Sequence, residues 1–314
     1  MTDPVLSVPA SGYGGRGYAL VTRPDAEGRF PKLMGVTTAL GSLRKDTEQW
    51  AVDNTIAYAM LNIDRLSEME PQQQWGFLRF YHSRFKEADF DNPLKDLSDA
   101  SNGVLNDLAE LGTLTHLWIE ENLNDRFEPQ IVRNEQAEMI EAFLEWKSRH
   151  KIEVVLSEAT VVGNNYAGTL DHLLIITCEH EGPTCLGQAE GVAVPTLVDV
   201  KTSRRTRREH IAQLAALGAA ESLIREVAAG TEGAVGYKGK WWVEDVLPPF
   251  SEYAILHLRP GEVGTGGVYT EPFCKLKRVD HAKVDAAYKL FTAAVDARLA
   301  ERELKKLDKE LGEL

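Results

Sequence analysis

The residue pattern predicts an α/β (α+β) fold, with a mixed central sheet flanked by helices and a largely helical N-terminal region. Three observations carry that expectation. Apolar residues recur at helical spacing through much of the first half of the chain. A β-branched, strand-like block beginning near Lys151 then interrupts this spacing. A single helical stretch separates that block from later strands, and a charged helix closes the chain. Helices, three core strands, a helix, more strands and a final helix suit a sheet covered by helices.

The elements follow in order. Residues 1–35 are rich in Gly, Pro and Tyr and read as loops with short strands. Thr37 or Thr38 offers an N-cap for a short helix, and a longer helix is expected over 47–61. Trp75, Phe77, Leu78, Phe80, Tyr81 and Phe85 give the next helix a broad aromatic face. Two more helices are expected over 102–122 and 135–150. KIEVVLSEATVV and YAGTLDHLLIITC are strands joined by a hairpin turn at GNN, residues 163–165. PTLVDVKTS is a third strand, and residues 206–227 return to helical spacing. GYKGKWWVEDV, EYAILHLRP and VYTEPFCKL read as closing strands, and the chain from Asp280 onward as a charged amphipathic helix. The expected organisation is an N-terminal region, 1–100, packed on a core, 101–314, as one unit.

Composition narrows the function. No apolar run is long enough to span a bilayer, and MTDPVLSVPASGYGG lacks a basic-then-apolar signal pattern, so a soluble cytoplasmic protein without a membrane partner is expected. Cys178, Cys185 and Cys274 cannot all pair and cannot supply the four thiolates of an iron–sulfur cluster. The net charge of −13 argues against binding DNA through an overall field, so a DNA enzyme would need a local basic surface.

Three places can carry chemistry. In Asp199-Val200-Lys201 the carboxylate and the ammonium, two apart on a strand, share a face. A carboxylate can hold a hard divalent cation, and a lysine beside it can orient a water, although a strand-end ion pair would look the same. Asp171, in Gly168-Thr169-Leu170-Asp171, lies among Leu173, Leu174, Ile175 and Ile176, where a charge is costly unless it is paired or metal-bound. The alternative is that Asp171 faces the wet side of the strand with Thr169. Glu158, on the hairpin partner, can approach the same place. His116 sits on a helix one turn after Gly112, a spacing that lets another segment pass close to the backbone.

Taken in order, Gly112 and His116, Glu158, Gly168 and Asp171, then Asp199 and Lys201 resemble the RecB-like exonuclease family of PD-(D/E)XK nucleases. FPKLMGVTTALGSL with Trp50 and Ala51 is similar to the opening of its phage members, and the resemblance covers roughly residues 30–220. It implies a restriction-endonuclease-like core and hydrolysis of DNA, as linear duplex or single strand, in recombination, repair or processing. It also implies one or two Mg²⁺ or Mn²⁺ ions held by His116, Asp171, Asp199 and the carbonyl of Val200, with Glu158 available for a second ion. Lys201 would position the attacking water, and Gln213 would steady Lys201 or the phosphate. The family places a tyrosine about a turn after that glutamine; here Leu217 stands nearest. For a phage-encoded member, the implied setting is a bacterial host's cytoplasm and a single-strand annealing protein as partner. A structure-specific endonuclease, a catalytically inactive DNA-binding protein of this fold and a metallohydrolase for another polyanion are the alternatives.

DNA contact is expected along KTSRRTRREH, which carries Arg204, Arg205, Arg207 and Arg208 directly after Lys201. Lys238, Lys240 and Trp241, in GYKGKWW, pair cations with rings that can stack on bases. KLKR and ERELKKLDKE read as solvated faces. CEHEGPTC fits no common zinc spacing. GAVGYKGK lacks the Gly-Lys-Ser/Thr ending of a phosphate loop, so no nucleotide cofactor is expected.

Overall fold

A computed structural model describes residues 7–9, 16–41, 43, 93–126, 129–178, 191–237, 239–263 and 269–311. The helices expected over 47–61 and around Trp75, the Trp50–Ala51 pair, Lys238, Cys185 and most of CEHEGPTC lie outside these residues. Two units are distinguishable: residues 1–43 together with 112–314, and residues 44–111. Of the second unit the described part is 93–111, the first stretch of one long helix.

That helix, α2 (Pro93–Leu123), follows β1 (Ser7–Pro9), β2 (Arg16–Ala19), β3 (Lys32–Gly35) and α1 (Val36–Leu40). Next come α3 (Asn134–Ser148), β4 (His150–Gly163), β5 (Tyr166–Cys178), β6 (Ala193–Lys201) and α4 (Arg208–Gly218). The chain continues through β7 (Ser222–Val227), β8 (Val235–Tyr237), β9 (Lys240–Asp245), β10 (Glu252–Arg259), β11 (Glu262–Val263), β12 (Tyr269–Thr270) and β13 (Phe273–Val279) to α5 (His281–Leu311).

Among the described residues, eleven strands form one mixed sheet. Its long path runs β1-β2-β3-β5-β4-β7-β9-β8, and β6, β10 and β13 branch from β5. The β4–β5 hairpin turns on Asn164 and Asn165, the latter at φ 65, a conformation that asparagine tolerates better than most residues. β3–β5 and β6–β10 are parallel and the other pairs antiparallel, so the sheet is mixed as expected.

Helices cover both faces. α1, α4 and α5 share a core with Val161, Leu170, Leu197, Ile255 and Val279. The alternate residues of β10, Ala254, Leu256 and Leu258, are also buried and point the other way, toward the side that α3 packs against. Each fully buried Leu or Ile on these strands contributes ~1.5–3 kcal/mol. Gly168 is needed for this packing, since a Cβ there would lie 2.7 Å from Leu217 Cδ2 and 2.9 Å from Val36 Cγ2. The motif glycine therefore lets α1 and α4 lie close on β5.

Two boundaries differ from the sequence expectation. The short N-terminal helix starts at Val36 with Gly35 as its N-cap, not at a threonine. The helix expected over 206–227 ends at Gly218, and the rest becomes β7. Helical spacing ran on through Leu223, Ile224 and Val227, but the Glu221 amide bonds Val162 O at 2.8 Å and lays that segment beside β4. Non-local pairing overrides the local period there.

A second cluster, with Tyr18, Leu20, Val21, Val162, Ala167, Ile224 and Trp242, is locked by Glu244. Glu244 accepts from Ser222 Oγ at 2.5 Å, Arg23 Nε at 2.9 Å and Thr22 Oγ1 at 3.2 Å. Burial by itself would raise its pKa, but these hydrogen bonds outweigh burial and hold the carboxyl below its usual range. A lowered folded pKa means stability that is present above the unfolded value, near pH 4, and lost as pH falls through the folded one. Glu244→Gln should lower stability at pH 7 by ~1 kcal/mol, with the deficit fading below about pH 4. Melting curves across pH check this, and a constant deficit at every pH would contradict it.

Among the described residues, no helix is long and apolar enough to cross a membrane. Cys178 and Cys274 are buried.

Candidate active site

The site forms where the sheet splits. Along one edge of β5, β4 pairs from end to end. Along the other edge, β3 reaches Tyr166 and Ala167, and β6 takes over at 172–177. Asp171 falls between the two, where no strand of the described residues lies beside that edge. Opposite it on β4, Glu158 has φ 48 and interrupts the ladder between the pairs Ser157–His172 and Ala159–Leu170. A left-handed non-glycine residue costs on the order of 1–3 kcal/mol, and such strain concentrates at functional sites.

β6 runs past its last pairing with β5, Val198 with His172, and carries Asp199, Val200 and Lys201 into the gap. The Val200 amide donates to Asp171 Oδ2 at 2.7 Å, joining the two strands at the split. The Lys201 ammonium donates to Asp199 Oδ1 at 2.7 Å and to Val200 O at 3.1 Å. It also forms an ion pair with the buried Asp199 Oδ2 at 2.7 Å. Asp199 is 1% exposed. Burial, with added repulsion from Asp171, pushes its pKa up to about 7 despite the adjacent ammonium. Burial also works against charge on Lys201 and on Asp171. Asp199, Asp171 and Glu158 nevertheless keep Lys201 above its ordinary value, and His116, Lys201, His172 and the Val200 amide hold Asp171 below its own.

His116 comes from α2. Its Nδ1 is 3.6 Å from Asp171 Oδ2, and burial lowers its pKa against the pull of Asp171, so the neutral ring with a free lone pair is favoured. Thr115, Trp118, Ile119 and Leu123 bury the neighbouring turns. α3 braces them: Trp118 meets Phe143 edge-on at 6.3 Å, and Lys147 Nζ donates to Asn122 O and Oδ1. A Cβ on Gly112 would lie 3.0 Å from Thr202 Oγ1. The segment passing close to this glycine is thus the loop leaving Lys201.

Two side chains from β10 fix that loop. Arg259 Nη1 donates to Thr202 O at 3.0 Å, and His257 Nε2 donates to Ser203 O at 2.7 Å. The four arginines that follow, Arg204, Arg205, Arg207 and Arg208, are all exposed; Arg204 lies 3.7 Å from Glu262 and Arg208 3.3 Å from Glu209. Gln213 is half-buried on α4, and Leu217, one turn on, is buried against Gly168. Lys240 pairs with Glu226 at 2.8 Å, Trp241 is 37% exposed and Trp242 belongs to the core. These three lie on β9, four strand positions from β6.

Several side chains near the site had no sequence signal strong enough to single them out. Glu120, one turn after His116, is 6% exposed; burial raises its pKa, with Asp171 among the smaller causes. Its place four residues after His116 was a usable clue. His172 Nδ1 lies 3.1 Å from Ser157 Oγ, which accepts from Asn124 Nδ2 at 3.1 Å, tying the end of α2 to the hairpin. Burial lowers the His172 pKa to about 4. His210 Nδ1 accepts the Arg207 amide at the start of α4.

The donor set suits a hard divalent cation: two carboxylates, a carbonyl and a neutral imidazole. As they stand, no three His, Cys, Asp or Glu side chains of the described residues close into a metal-holding group. The Lys201 ammonium rests on the oxygens of Asp199 and Val200 that such an ion would use. No protein-family model matches this chain, and no curated protein matches it.

Proposed function

We propose that the chain is a metal-dependent phosphodiesterase acting on DNA, most simply an exonuclease that works in DNA recombination, repair or processing. One observation carries the reading. Asp171 and Asp199, from adjacent strands, meet at a sheet split together with Lys201 and the His116 ring, and the Asp171 carboxylate is bonded to the Val200 amide. A plain strand-end ion pair needs neither the histidine nor the interrupted ladder at Glu158.

Asp171, Asp199, His116 and the Val200 carbonyl would hold Mg²⁺ or Mn²⁺, and Glu158 would assist with a second ion. Bound there, the metal would supply a lowered pKa for the attacking water and neutralise charge on the scissile phosphate. Lys201, kept protonated by its carboxylate neighbours, donates a hydrogen bond to that water or to a phosphate oxygen. His116 stays neutral and offers a nitrogen lone pair. The exposed arginines after Lys201 hold the flanking phosphates, which is how an acidic chain gathers a polyanion locally.

The test is digestion of end-labelled linear DNA and closed circular DNA with Mg²⁺, Mn²⁺ or EDTA. Loss of linear DNA only with metal, while circles survive, is the expected result. Equal cutting of circles would assign an endonuclease. Binding to DNA without any cutting would remove the catalytic reading and leave a DNA-binding protein, for which the buried Leu217 in place of a tyrosine is the supporting feature.

A further inference from the structure

β6, β10 and β13 lie side by side, and their registers carry one sheet face across all three. Asp199 stands beside Ile255 and Lys201 beside His257; Ile255 in turn faces Lys277, and His257 faces Lys275. Cross-strand partners share a face, so the two lysines of β13 stand on the same side as the site's Asp199 and Lys201. At one end this face is closed: Ile255 and Val279 are buried with Val284 and Phe291 of α5. Toward the other end Lys275 and Lys277 are exposed. Two strand spacings, about 10 Å, separate β6 from β13.

The lysines are held in place, unlike an ordinary solvated pair. His257 Nε2–H donates to Ser203 O at 2.7 Å, which leaves Nδ1 to accept from Lys277 Nζ, also at 2.7 Å. The Lys275 ammonium lies 5.0 Å from the centre of the Phe273 ring, whose edge contact with His257 is at 5.3 Å. Within the described residues, neither lysine forms an ion pair with a carboxylate. The cations feel one another. After burial, Lys275 lowers the pKa of Lys277, and Lys277, Arg259 and Lys275 lower that of His257. A row of fixed cations that repel one another is stabilised by an anion laid across it.

We propose that Lys275 and Lys277, aligned by Phe273 and His257, bind the phosphodiester backbone of the DNA strand that reaches Lys201, and so extend the arginine track onto the sheet edge. This rests on the nuclease reading for the identity of the polyanion. Along the axis of a B-form duplex 10 Å is about three base-pair rises, so the strip would grip nucleotides a short way from the scissile bond.

The test is the full-length Lys275→Glu/Lys277→Glu variant, compared with Lys151→Glu/Lys305→Glu, which makes the same charge change at two exposed lysines elsewhere. Binding of a fluorescent single-stranded 20-mer and of its duplex is followed by anisotropy in EDTA over a series of salt concentrations. The strip variant should bind about tenfold or more weakly at low salt, with a log–log salt slope shallower by about one and a half to two. The control pair and the wild type should match in slope. Both strip lysines are exposed, so the melting temperature should hold; Lys275→Gln/Lys277→Gln, which adds no negative charge, should show the same slope change. With metal, KM should rise while kcat at saturating DNA stays. Unchanged affinity and slope in both variants, or no binding by the wild type, overturns the proposal. A wild type that binds but never cuts, with binding lost in the variant, keeps the strip and removes the nuclease reading. A wild type that cuts, with the variant binding like its parent, removes only the strip.

Discussion

Asp199→Asn is expected to abolish DNA cleavage while leaving the metal-free protein about as stable as the wild type. The two halves of this outcome have separate causes. In the folded protein the carboxylate is 1% exposed, and burial raises its pKa to about 7 despite the ammonium beside it. Each of these makes a negative charge there costly for folding. Asparagine is nearly isosteric, keeps an oxygen that can accept from Lys201, and removes the charge; the ammonium loses its principal counterion but keeps Asp171 and Glu158, so that loss offsets the gain. The same change takes a charged ligand from the set that would hold the ion, and a transition-state charge interaction of about 4 kcal/mol corresponds to about a thousandfold in rate. Cleavage of linear DNA and melting in EDTA, measured on one preparation, check both parts. A variant that melts far below the wild type would make Asp199 a structural ion-pair residue, and one that retains activity would remove it from the chemistry.

Much of this geometry could be read from the residues, and the exceptions have a common cause. The β4–β5 hairpin announced itself through β-branched, apolar stretches on both sides of GNN, and Asp199-Val200-Lys201 follows from the period of a strand. These are local signals. The features that were missed depend on which segments pair. Nothing near Glu158 marks its left-handed backbone, because the kink arises where β5 exchanges β3 for β6 along its other edge. The strand β7 was hidden in helical spacing until the Glu221 amide met Val162. In KLKR the alternation was present, with Leu276 buried between two exposed lysines, but only the register with β10 places those lysines on the same face as Lys201. Asn124 and His172 meet at Ser157 Oγ through the packing of a helix end on the hairpin, a contact that no spacing along the chain encodes.

Lys201→Met should yield a protein that binds Mn²⁺ more tightly than the wild type and cuts DNA at least about a thousandfold more slowly. Lys201 donates to Asp199 Oδ1 and to the Val200 carbonyl, and so competes for the oxygens a divalent ion would use. Methionine keeps the apolar stem, which matters for a side chain only 15% exposed, and removes the competitor. Without metal, Asp199 is then buried with no cation against it, and breaking a buried pair from one side costs ~3–5 kcal/mol unless the carboxyl takes up a proton. The variant should therefore melt well below the wild type in EDTA at pH 8. Saturating Mn²⁺ should recover most of that loss and raise its melting temperature by more than the wild type's, since a ligand stabilises in proportion to its preference for the folded state. Activity should stay low even at saturating metal, because the ammonium that donates to the water or the phosphate is gone. If Mn²⁺ shifts both proteins equally, the Asp199 oxygens are not ligands. If the variant recovers stability and cleavage together, Lys201 serves only as a counterion to Asp199, and the task of placing the attacking water passes to another residue at the sheet split.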